Sequence, residues 1–72
     1  MYEDNLLKLG HKIKYLRCRN NISQLDLSLK TGLTTRTISR IECGKIDPKY
    51  STLLKISSAL EADLSDIISF QF

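Results

Sequence analysis

The sequence predicts an all-α fold, five short helices around one small core. Three observations predict it. Apolar residues recur at helical spacing through almost the whole chain. Only three Gly and one Pro occur, and Gly32, Gly44 and Pro48 stand between periodic segments rather than inside them. The chain has 72 residues, enough for a single domain spanning 1–72 and too few for long helices side by side.

The first helix is expected from about Asn5 to Asn20. Leu6, Leu9, Ile13 and Leu16, with Leu7 beside them, make one apolar stripe, and Lys8, Lys12, Lys14 and Arg19 lie off it. Asparagines 20 and 21 end it, because asparagine accepts the left-handed conformation. The second helix starts at Ser23, which forms a capping-box-like pair with Asp26, and stops at Gly32. The third is capped by Thr34 and reaches about Cys43, with Gly44 as its left-handed terminator. Ile38 and Ile41 form its inward edge, while Thr35, Arg36, Ser39 and Arg40 share the opposite side.

The stretch "KIDPKY" is a loop, since Pro48 cannot continue a helix. A fourth helix takes about Tyr50 to Leu60 and buries Leu53, Ile56 and Leu60, with Leu54 and Ala59 beside them. Asp63 caps a short fifth helix from Leu64 to Ser69, with Asp66 favourable in its first turn. Helices this short, joined this tightly, must cross at steep angles. Only Gly32 and Leu33 precede the cap of helix three. That is the spacing of a helix-turn-helix over about residues 23–43.

Charge points to a polyanionic partner. The net charge is +3, but residues 1–20 hold five Lys or Arg against two acids, residues 21–50 hold five against three, and residues 51–72 only Lys55 against three. The basic side chains therefore crowd the first two-thirds of the chain. No apolar run approaches the roughly 18 residues of a membrane span, and the N-terminus lacks the pattern of a signal peptide, so a cytoplasmic protein is expected. Cys18, Cys43 and His11 lack the spacing of a metal site, and no nucleophile–base pair is present. Neither a metal, a cofactor nor enzymatic activity is expected. The two thiols are expected to be free and at least half-buried, with a redox pairing as the less favoured reading.

The spacing Arg17, Gln24, Leu27, Gly32, Ile38, Glu42, Gly44 lies within "LGHKIKYLR" and "ISQLDLSLKTGLTTRTISRIECGK", and "STLLKISSALEADLSDII" follows. Together these resemble the Xre/Cro–CI family of helix-turn-helix regulators, the lambda-repressor-like DNA-binding domains of phage repressors and their bacterial relatives. The likeness runs from Leu9 to about Ile68. Ser28 replaces a frequent alanine, Glu61 a helix-ending glycine, and Lys49 a capping serine.

The resemblance implies a sequence-specific transcriptional regulator that binds double-stranded DNA as a homodimer on a short palindromic operator. Thr35, Arg36, Ser39 and Arg40 would read base edges in the major groove, Arg36 pairing bidentately with guanine. Gln24, Thr34, Lys45, Lys49 and Tyr50 would meet backbone phosphates; for Tyr50, packing over the core edge is an equal alternative. Arg17 and Glu42 would form a partly buried structural ion pair. The apolar residues Leu64, Ile67, Ile68, Phe70 and Phe72 exceed what a short fifth helix can bury, so residues 64–72 are expected to pair two subunits, the alternative being a tail folded back on its own core. No separate effector domain or small-molecule ligand is expected. Leu25 and Leu29 point at least partly outward, to cover a neighbouring helix or to contact RNA polymerase or another protein. The competing function is therefore a protein-interaction module of the same fold with weak DNA affinity, such as an antitoxin that meets its toxin or the partner of a restriction–modification controller.

Overall fold

The computed structural model of the protein describes residues 2–69, with side chains from Asp4 onward. Five helices follow in order: α1 (Tyr2–Arg19), α2 (Gln24–Thr31), α3 (Thr35–Glu42), α4 (Tyr50–Ala59) and α5 (Leu64–Ile68). No strand occurs among the described residues. The helix α1 packs on α3 and α5, α2 on α3 and α4, and α4 on α5. It begins three residues earlier than the apolar stripe required, because nothing in its first turn opposes a helix and Asp4 favours its positive end.

The helix ends explain why the turns are so short. At the end of α1, Ile22 N–H donates to Arg17 O and Asn21 N–H to Cys18 O, with Asn21 left-handed at φ 57°. The same paired bonds close α3, from Lys45 to Arg40 and from Gly44 to Ile41. They also close α4, from Ala62 to Ser57 and from Glu61 to Ser58. This is the Schellman arrangement, which satisfies otherwise orphaned carbonyls while reversing the chain. Glu61 holds φ 55° without being glycine, a local strain of about 1–2 kcal/mol.

Leu9, Ile13, Leu16, Leu27, Ile38, Ile41, Ile56, Leu60 and Ile67 form the core. Ile22, Leu33, Ile46, Leu53, Ala59 and Ala62 pack around it. Each fully buried Ile or Leu contributes roughly 1.5–3 kcal/mol by leaving water. Two expectations need correction. Ile67 is 0% exposed and sits in the chain's own core, so it is not available to a second subunit. Leu54 lies largely outside the core on the exposed side of α4. Phe70 and Phe72 lie outside the described residues.

Candidate nucleic-acid interface

Helix α3 is short, and its orientation is fixed from three sides. Ile38 and Ile41 are buried beneath it. The turn before it is pinned by two hydroxyls of α2. Ser28 Oγ donates to Leu33 O at 2.5 Å, and Thr31 Oγ1 accepts from Leu33 N–H at 3.2 Å while donating to Leu27 O at 2.7 Å. Gly32 supplies the left-handed residue at φ 79°, and its N–H donates to Ser28 O. Thr34 caps α3, its Oγ1 accepting from Thr37 N–H at 3.1 Å and donating to Thr37 Oγ1 at 3.0 Å.

The far end of α3 is held by charge. Arg17 Nε donates to Glu42 Oε2 at 2.7 Å and Nη2 to Oε1 at 3.1 Å, a bidentate pair between two buried residues. Arg17 Nη1 donates to Ile22 O at 2.9 Å, and Gln24 Nε2 donates to Glu42 Oε1 at 3.1 Å. One carboxylate thus ties α1, the first turn of α2 and the end of α3 together. The hydrogen bond to Glu42 raises the Arg17 guanidinium above its ordinary value, outweighing the burial that lowers it. No buried side-chain polar atom among the described residues lacks a partner.

With its inner side locked, α3 displays the other. Thr34, Thr35, Arg36 and Arg40 are exposed, and Ser39 is half-buried at the edge. Lys45, Lys49 and Tyr50 are exposed in the following loop and at the start of α4. Tyr50 is 67% exposed, so it does not pack over the core edge. Gln24 departs from expectation: its amide nitrogen is engaged by Glu42. The Asp26 N–H is capped by Ser23 Oγ at 2.9 Å, so what the first turn of α2 leaves without an intrahelical acceptor is the backbone N–H groups of Gln24 and Leu25.

Leu25 and Leu29 are 60% and 75% exposed, so they do not cover a neighbouring helix. Cys18 and Cys43 are free thiols at exposed positions, not the half-buried ones expected. The described residues contain no group of three or more His, Cys, Asp or Glu able to hold a metal.

Sequence reasoning overlooked Gly10 and Thr31. Gly10 is buried where α1 crosses the end of α3, so close that a Cβ there would strike the backbone oxygens of Ile41 and Glu42. A glycine inside a helical pattern was the available signal, since it otherwise only weakens the helix.

Residues 13–67, well over half the chain, match the helix-turn-helix family HTH_3. The chain belongs to this family of helix-turn-helix transcriptional regulators. An HTH-type transcriptional regulator of Methanocaldococcus jannaschii is 36% identical over 63 residues, covering 88% of this chain and 96% of that one. The HTH-type regulator YgzD of Bacillus subtilis is 34% identical over 59 residues, covering 82% and 89%. Among solved structures, the restriction–modification controller protein C.AhdI of Aeromonas hydrophila superposes with a TM-score of 0.87 at 25% identity, covering 89% of this chain and 97% of that one. An HTH_3 family transcriptional regulator of Vibrio cholerae gives 0.89 at 27% identity; 99% of this chain is covered, and 40% of that longer one. The five-helix architecture is that of HTH_3 regulators. DNA binding and transcription regulation, not enzymatic turnover, are the family's business.

Proposed function

We propose that the protein is a sequence-specific transcriptional regulator that binds a short palindromic operator as a dimer, with α3 in the major groove of each half-site. One observation carries this reading. The inner edge of α3 is immobilised by Ile38, Ile41 and Glu42, and its outer edge presents Thr35, Arg36 and Arg40 to solvent. Threonine is a weak helix former, so a plain surface helix would favour Glu, Lys or Ala there. Short hydroxyls and guanidinium groups suit hydrogen bonding to base edges. Lys45 and Lys49, exposed on either side of the loop, would meet phosphates and add affinity without sequence information.

For the dimer, the supporting surface is now narrower. Ile68 on α5 and Leu54 on α4 are each 42% exposed, and these two helices pack together. A palindromic operator would require the α3 helices of two copies paired there to lie about 34 Å apart, one turn of DNA. A monomeric mass by light scattering, with and without operator DNA, would count against this part of the reading.

The test of the whole is equilibrium binding to duplex DNA across salt. A regulator that neutralises several phosphates loses affinity steeply between about 50 and 200 mM salt. Exposed Leu25 and Leu29 favour the second reading, a protein-interaction module of the same fold. Weak binding that does not change with salt would select it.

A further inference from the structure

The α1 wall of the groove between α1 and the helix-turn-helix has no part in the DNA contacts considered so far. Leu7, His11 and Lys14 of α1 form one wall, with Gln24 at the start of α2 and Ser39, Glu42 and Cys43 of α3 opposite. The three α1 residues are spaced i, i+4 and i+7, so they lie one above another on a single helix face. The groove contains a carboxylate, but not an available one. Glu42 is buried, and it accepts two hydrogen bonds from Arg17 and one from Gln24. Its charge is cancelled by Arg17 inside the fold. What the groove keeps is the exposed ammonium of Lys14, with the polar groups of His11, Ser39 and Gln24 around it. Ser39 and Gln24 also border the face through which α2 and α3 would meet DNA. The groove therefore opens at the rim of that face.

We propose that this groove seats one backbone phosphate of the DNA, with Lys14 as its counter-charge. The proposal rests on the DNA-binding reading above and extends the footprint onto α1. An ammonium on a flexible stem serves a phosphate as a point charge, without the fixed fork that base recognition needs. The contact strengthens binding to every sequence alike and adds one to the phosphates neutralised. Because Glu42 is already paired, seating the phosphate leaves the ion pair that orients α3 intact.

The experiment compares wild type, Lys14→Gln and Lys55→Gln on random-sequence duplex DNA at 50 and 200 mM salt. Both lysines are exposed and both substitutions remove one charge, but Lys55 is on α4, away from the groove. Loss of one phosphate contact lowers the slope of log affinity against log salt by about 0.9. The penalty of Lys14→Gln should therefore be about 3.5-fold larger at 50 mM than at 200 mM salt. Lys55→Gln should leave the slope close to wild type. If the two variants follow the same slope while wild type binds steeply, the proposal fails and the DNA-binding reading stands. If wild type itself has no salt dependence, both fail together.

Discussion

Replacing Gly10 with alanine is expected to destabilise the protein although it improves the helix. Within a helix interior, alanine is favoured over glycine by about 0.5–1 kcal/mol. The structure opposes that gain. A Cβ on Gly10 would lie 2.6 Å from the carbonyl oxygen of Glu42 and 2.8 Å from its carbonyl carbon, and closer still to the oxygen of Ile41. Even close carbon–oxygen contacts sit at about 3.3 Å, so α1 must retreat from the end of α3 by roughly 0.7 Å or more. All the obstructing atoms are backbone, so no side chain can swing aside. Overpacking of this kind costs about 1–3 kcal/mol, which leaves a net loss of about 0.5–2 kcal/mol after the propensity gain. A domain of this size holds only about 4–10 kcal/mol in all. Urea unfolding followed by far-UV circular dichroism reads the change. With an m-value of about 1 kcal/mol/M, the midpoint should fall by about 0.5–2 M at unchanged m. A midpoint that rises would refute the claim that α1 and α3 are in backbone contact at this position.

Other substitutions probe the remaining parts of the frame. Arg17→Ala and Glu42→Ala should each cost about 3–5 kcal/mol in the same unfolding assay, because each strands a buried charge. The double variant should cost clearly less than their sum, and additivity would mean that the two side chains do not interact. Glu61→Gly should stabilise by about 0.5–1 kcal/mol by relieving the left-handed strain, in spite of glycine's greater freedom when unfolded. Gly32→Ala should destabilise by about 1 kcal/mol. Nothing lies within 4 Å of the added Cβ, so the whole effect comes from φ 79° and none from crowding.

Much of this architecture is legible in the sequence because it depends on short-range chemistry. Ser23 with Asp26, Thr34, Asn21, Gly32 and Gly44 each act within a few residues of their own position, and each terminates or caps a helix where its chemistry suggests. The core stripe of Leu9, Ile13 and Leu16 follows from helical periodicity alone. What escaped depends on distant partners. The tight approach at Gly10 involves a helix more than thirty residues away in sequence, and periodicity carries no such information. Ile67 looked surplus because a short fifth helix seemed unable to bury all the apolar residues near the C-terminus, yet α1 and α4, which both pack on α5, enclose it. Gln24 suited a phosphate by position, but its reach to Glu42 becomes visible only once α2 and α3 are docked. The exposed edge of α3 was readable, since a helix locked on one side by Ile38 and Ile41 leaves Thr35, Arg36 and Arg40 facing out.

The central claim is that this edge reads base edges, and Arg36 tests it most directly. A preferred duplex is first selected from random DNA. Wild type and Arg36→Ala are then titrated against it and against each of its single-base variants at fixed salt. The account predicts a loss of about 1–3 kcal/mol on the preferred site, with discrimination relaxed at one base pair in each half-site and kept elsewhere. A uniform loss across all the duplexes, with every base preference unchanged, would contradict it and reduce Arg36 to a phosphate contact.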